Sequence, residues 1–166
     1  MDYADAIEGY KVEVVLKVHD HLRPYVRLGS SSDVYQAFRY IGEYDREHFV
    51  VACVDARLRV NAVQTVSVGT LTASIVHPRE VFKTALLANA SAVVLLHNHP
   101  SGEVNPSDED RRITQRLSEV GEILGVPVID HLIIGTDGDF YSFADEGKIA
   151  PRDSGYRGMV LREKGE

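Results

Sequence analysis

Ala92-Val93-Val94-Leu95-Leu96-His97-Asn98-His99-Pro100-Ser101-Gly102-Glu103-Val104-Asn105-Pro106-Ser107-Asp108-Glu109-Asp110 opens on a short, unbroken apolar run and closes on a cluster of acids. A continuous run of that length fits a central strand buried on both faces, where alternation disappears because neither face meets water. Pro100-Ser101-Gly102 and Asn105-Pro106 punctuate the middle as turn residues. Ser107 is placed to cap a helix that begins with Asp108, Glu109 and Asp110, acids that suit the positive end of the helix dipole. Ile113, Leu117, Val120 and Leu124 recur at helical spacing as its apolar stripe, and Gly125 stops it.

Working outward, Val128 to Ile134 and Phe140 to Phe143 read as two further strands. Upstream, Pro78 fits the first turn of a helix reaching about Ala88, with Val81, Phe82 and Ala85 on its buried face. His48–Asp55 and Arg59–Val66 are β-rich runs separated by Ala56-Arg57-Leu58, which predicts a hairpin, and Thr72–Val76 could add a short strand. Val34, Phe38 and Ile41 predict an amphipathic helix capped by Ser31 or Ser32 and ending near Gly42. Lys11–Val18 alternates almost strictly and reads as a half-buried strand. Strands alternating with helices predict a layered α/β domain. Its parts are an N-terminal strand and connection over 1–30, the main body over 31–150, and a solvated, mobile tail over 151–166, all in one structural domain.

A chain of 166 residues suits a single domain, which at this size buries roughly 70% of its unfolded surface. The single cysteine, Cys53, lies within apolar residues, so neither an internal disulfide nor a multi-cysteine zinc knuckle is available and the thiol reads as buried and inert. No signal-like leader or run of membrane-spanning length appears, which sets a cytoplasmic location with no membrane partner as the expectation. With 18 Lys+Arg against 25 Asp+Glu, the net charge of −7 gives no overall attraction for phosphate backbones, so DNA association finds no support in charge.

The chemistry is concentrated where the apolar run stops. His97 and His99 are two residues apart at a strand end, so backbone alternation sends both imidazoles to one side. Asp110, in the first turn of the following helix, adds a charged oxygen. Two histidines and a carboxylate form a three-ligand set of the kind that leaves a catalytic zinc one open position, through which water can be activated. Non-haem iron uses the same ligand types, so residue identity leaves the metal open.

The run from His97 to Asp110 fits H-x-H, seven residues, then S-x-x-D, and resembles the JAMM/MPN motif in its RadC form, H-N-H-P-S-G followed by P-S-x-x-D. Glu47-His48-Phe49, Ser67-Val68-Gly69-Thr70-Leu71, Ser74-Ile75-Val76-His77-Pro78-Arg79-Glu80 and Asp130-His131-Leu132-Ile133-Ile134-Gly135 are also similar to RadC, so the likeness spans roughly Ser31 to Gly147. It implies a three-layer α/β/α sandwich with a mixed sheet, related to the cytidine deaminases. The same likeness implies Zn2+ on His97, His99 and Asp110, Glu47 as general acid/base, and Ser107 polarising the reacting carbonyl. Glu43 and Asp45 rival Glu47 by position. Deaminase chemistry itself would need a P-C-x-x-C pair that a one-cysteine chain lacks.

The resemblance implies hydrolysis of a peptide or isopeptide bond, with a protein or peptide substrate such as a ubiquitin-like tail. The alternative is a non-catalytic MPN-type scaffold associated with DNA repair or mobile elements, and a nuclease would need a basic groove that the sequence does not display. Where longer RadC proteins usually carry a helix-hairpin-helix region, Lys11–Val18 is expected to form a strand instead, and oligomeric state is left open. An internal control sharpens the motif: His19-Asp20-His21 is followed by Ser30 and Asp33, but with eight intervening residues and no Pro-Ser-Gly turn. His77 and His131 read equally as structural or pocket histidines and stay outside the predicted site, while Glu103 and Asn105 fit its entrance or plain loop solvation.

Overall fold

The computed structural model describes residues 26–69 and 76–149. Its sheet is built around β3 (Ala92–Asn98), every residue of which is buried. The apolar run therefore predicts the central strand correctly, but the strand continues through His97 and Asn98. β1 (His48–Val54) and β2 (Val60–Val68) form the predicted hairpin, and β4 (Val128–Ile134) and β5 (Phe140–Ser142) complete the order β2-β1-β3-β4-β5. β3 and β4 are parallel and the other neighbours antiparallel, so the sheet is mixed.

Alternation along β1 divides the core into two layers. Val50, Ala52 and Val54 join Val94 and Leu96 of β3 on the face covered by α1 (Ser31–Phe38) and the 3-10 turn Arg39–Glu43. Phe49, Val51 and Cys53 join Val93 and Leu95 on the opposite face, beneath α2 (Pro78–Leu87) and α3 (Asp108–Leu124). The three-layer α/β/α sandwich is thus the observed fold. Burial pushes the Cys53 thiol up to about 12, in keeping with an inert packing role.

Several local expectations change. α1 is capped by Ser30, whose side chain accepts from the Asp33 amide, so neither Ser31 nor Ser32 is the cap; three consecutive serines offer nearly equivalent starts. The α-helix ends at Phe38 and tightens into the 3-10 turn that carries the chain past Ile41 and Gly42. Leu124 was expected on the α3 stripe but is 40% exposed. Val126 folds back with its amide on the Gly121 carbonyl (2.9 Å) and covers that end of the core, so the stripe runs through Ile113, Leu117 and Gly121 with Val120 half-buried. β5 stops at Ser142, one residue short of Phe143. Lys11–Val18, nearly all of Thr72–Val76, and the 1–25 and 151–166 portions of the expected end segments lie outside the described residues. No described helix is long and apolar enough to cross a membrane.

Candidate metal centre

His97 is the penultimate residue of β3, opposite Phe49 in the register, and its ring is fully buried against the Phe49 ring at a centroid distance of 6.1 Å. Just beyond the strand, His99 still donates its amide to the Ile134 carbonyl (3.1 Å), which keeps its side chain on the same face as His97. The chain then turns back: Gly102, at φ +82°, donates its amide to the His99 carbonyl (2.9 Å), a conformation that the missing Cβ permits. This turn delivers Ser107 as N-cap of α3 and Asp110 as its third residue. The Ser107 hydroxyl accepts from the Asp110 amide (3.1 Å) and donates to Asp110 Oδ2 (2.6 Å), while the Ser107 amide donates to the same oxygen (2.7 Å).

Strand end and helix start bring three donor atoms together. The two Nε2 atoms lie 2.9 Å apart, Asp110 Oδ1 is 3.2 Å from His97 Nε2, and Asp110 Oδ2 is 3.6 Å from His99 Nε2. Among the described residues these three form the one cluster of His, Cys, Asp or Glu able to hold a metal ion, with no fourth such ligand in it. His99 Nδ1 donates to the Glu103 carbonyl (2.5 Å), and His97 Nδ1 faces His131 Nε2 at 2.8 Å. Each Nδ1 is therefore engaged away from the centre, and the two Nε2 atoms converge on a carboxylate. Two imidazole lone pairs this close repel unless a cation lies between them, and the donor set fits a divalent metal.

The electrostatics agree with that geometry. Burial pushes His97 below its ordinary value, against the pull of Asp110, so this ring is held neutral. The Asp110 hydrogen bond pushes His99 up despite partial burial, helped by the Glu103 carbonyl. Burial alone would raise Asp110, but the hydrogen bonds from His97 and His99, reinforced by Ser107, outweigh it and hold the carboxyl well below the usual range.

Glu47 precedes β1, and the β1–β3 register continued beyond Phe49–His97 sets it across from His99. Its charge acts on both histidines. Its backbone is fixed from two sides: the Gly69 amide donates to its carbonyl (2.8 Å), and Asn98 grips its neighbours, accepting from the His48 amide (2.8 Å) and donating to the Arg46 carbonyl (3.0 Å). Of its rivals, Asp45 pairs with Arg46 in solvent at 2.8 Å and Glu43 is exposed at the end of the 3-10 turn. Glu103 contributes its backbone carbonyl rather than its carboxylate, which accepts from Asn105. His77 caps α2, accepting from the Arg79 amide (3.3 Å), and plays no part in the centre.

Sequence reasoning missed Asn98, Thr114 and His131. Asn98 sits between the two histidines on the opposite side of the strand, where alternation alone signals only a buried polar residue. His131 was hidden by a register shift, because β3 pairs Val93 with Val128 but Val94 with Asp130. Regular alternation from Val128 would aim His131 at the α1 face; the bulge turns it toward α3, opposite Leu95 and beside His97. Thr114, a polar break in the α3 stripe, gave the one available hint.

A mixed-sheet α/β/α sandwich with a His-His-Asp cluster at the end of its central strand defines a domain of the JAB type with a candidate metal site. The chain matches the RadC-like JAB domain over residues 28–148 and belongs to that family. It is 47% identical over 123 residues to a UPF0758 protein of Thermotoga maritima, covering 74% of this chain and 55% of the relative. A UPF0758 protein of Desulforudis audaxviator is 52% identical over 114 residues (69% and 48% covered), and one of Methanosarcina barkeri 43% over 127 residues (76% and 55%). The chain thus spans about half the length of these curated relatives.

Proposed function

We propose that the protein is a zinc-dependent hydrolase that cleaves a peptide or isopeptide bond in a protein or peptide substrate. The observation carrying this reading is the convergence of two Nε2 atoms and one carboxylate with no fourth such ligand among the described residues. When bound, zinc would supply Lewis acidity, lowering the pKa of water and polarising a carbonyl. His97, His99 and Asp110 would hold it, with the imidazoles neutral and the carboxylate charged. Glu47, on the same face as both histidines, would take a proton from the attacking water and return it to the leaving amine. Ser107 is exposed, so its hydroxyl can rotate from Asp110 toward a substrate carbonyl oxygen without unburying the helix start.

The reading is tested by loading the protein with zinc and assaying a panel of peptide and isopeptide substrates. Glu47→Gln should keep the metal and abolish turnover. Turnover that persists undiminished in Glu47→Gln would remove Glu47 from the chemistry, and a zinc-loaded protein that cleaves none of the panel would favour the scaffold alternative.

A further inference from the structure

We propose that Thr114 and His131 act as a tautomer lock on His97, keeping its proton on Nδ1 so that Nε2 retains its lone pair for a metal ion; this rests on the metal-site reading above. The inference comes from counting protons along a buried chain. Thr114 Oγ1 lies 2.6 Å from the Asp110 carbonyl and 2.6 Å from His131 Nδ1, and His131 Nε2 lies 2.8 Å from His97 Nδ1. A backbone carbonyl can only accept, so the one hydroxyl proton of Thr114 goes to Asp110. Toward His131 the hydroxyl can then only accept, which requires a proton on His131 Nδ1.

His131 is fully buried and its two ring nitrogens are engaged by Thr114 and His97, so it stays neutral and its Nε2 is an acceptor. The remaining contact is satisfied only if His97 Nδ1 carries a proton, which leaves His97 Nε2 unprotonated and facing Asp110 and His99. A ligating histidine ordinarily has its tautomer fixed by a carboxylate, a carbonyl or water. Here a second histidine does so, anchored by a hydroxyl to the carbonyl of the third metal-site residue. Phe143 stacks on the His131 ring at a centroid distance of 5.0 Å and resists its rotation.

The test joins nitrogen-15 NMR of the histidine rings in the metal-free full chain with competition titration of Zn2+ itself. The wild-type protein should show His97 and His131 both in the Nδ1–H form. Thr114→Val deletes the acceptor while leaving Asp110 its helical hydrogen bond, and should shift the His131 tautomer and weaken zinc binding by about 10- to 100-fold. Thr114→Ser should restore both. His97 protonated on Nε2 in the wild-type protein, or Thr114→Val with unchanged tautomers and unchanged zinc affinity, would overturn the lock. Should wild-type protein fail to bind zinc, the metal reading falls while the ring tautomers still decide the lock; should Thr114→Val fail to fold, the wild-type spectrum decides alone.

Discussion

Two helices of this domain begin with the same Ser-x-x-Asp signature, and only one of them joins a cluster able to hold a metal ion. At α1, the Ser30 hydroxyl accepts from the Asp33 amide (3.1 Å), while the Asp33 carboxylate turns back to the Gly29 amide (3.1 Å) and remains exposed. At α3, Ser107 and Asp110 make the reciprocal capping box, but Asp110 is 3% exposed and faces two imidazoles. The local chemistry of the cap is nearly identical. What differs is the strand end against which each helix start is packed, so the candidate metal cluster comes from the tertiary meeting of β3 and α3 rather than from the four-residue pattern. His19 and His21, which complete the resemblance upstream of Ser30, lie outside the described residues.

Exchanging each aspartate should separate the two helix starts most severely. Asp110→Asn should reduce zinc affinity by more than the roughly 10- to 100-fold typical of losing an outer hydrogen-bond partner, whereas Asp33→Asn should leave it unchanged in the same competition assay. Equal effects would erase the distinction between the two caps. Next in size is Asn98→Ala, which strands the His48 amide and the Arg46 carbonyl. Denaturant unfolding should show a loss of about 1–3 kcal/mol, and turnover should fall further than zinc affinity because the segment carrying Glu47 loosens.

Acidity sharpens the contrast. Metal binding requires a neutral His99, whose ordinary value is pushed up chiefly by its bond to Asp110. Zinc affinity should therefore be greatest at higher pH and decline as pH falls through that raised value, with proton release on metal binding that grows as pH falls. Calorimetry in buffers of different ionisation enthalpy checks this, and a pH-independent affinity would contradict it. The smallest difference belongs to the serines themselves. Ser30→Ala and Ser107→Ala should each cost about 0.5–2 kcal/mol of stability, with only Ser107→Ala slowing turnover.

Much of the arrangement was legible because it followed from local rules. The unbroken apolar run gave β3, Pro78 gave the start of α2, and H-x-H followed by S-x-x-D identified His97, His99 and Asp110 before any geometry was known. Residues that escaped local rules are those fixed by a non-local contact. The bulge between Val128 and Asp130 reversed the facing of His131, the fold-back of Val126 displaced Leu124 from the core, and Asn98 acquired its partners from a loop fifty residues earlier. No periodicity records such contacts, since each depends on where a second segment happens to run. Placement of Glu47 was intermediate: its position in the sequence left Glu43 and Asp45 as rivals, and only the strand register, carried past Phe49–His97, sets Glu47 across from His99.

X-ray absorption at the zinc edge of the loaded protein reads which atoms His97, His99 and Asp110 present to the metal. Two imidazole nitrogens and a carboxylate oxygen at about 2.0–2.1 Å, with light-atom scattering alone completing the shell and no sulfur near 2.3 Å, is the result these contacts require, and it should vanish in a His97→Ala, His99→Ala double variant. An unchanged spectrum in that variant, or a shell containing sulfur, would place the metal somewhere else.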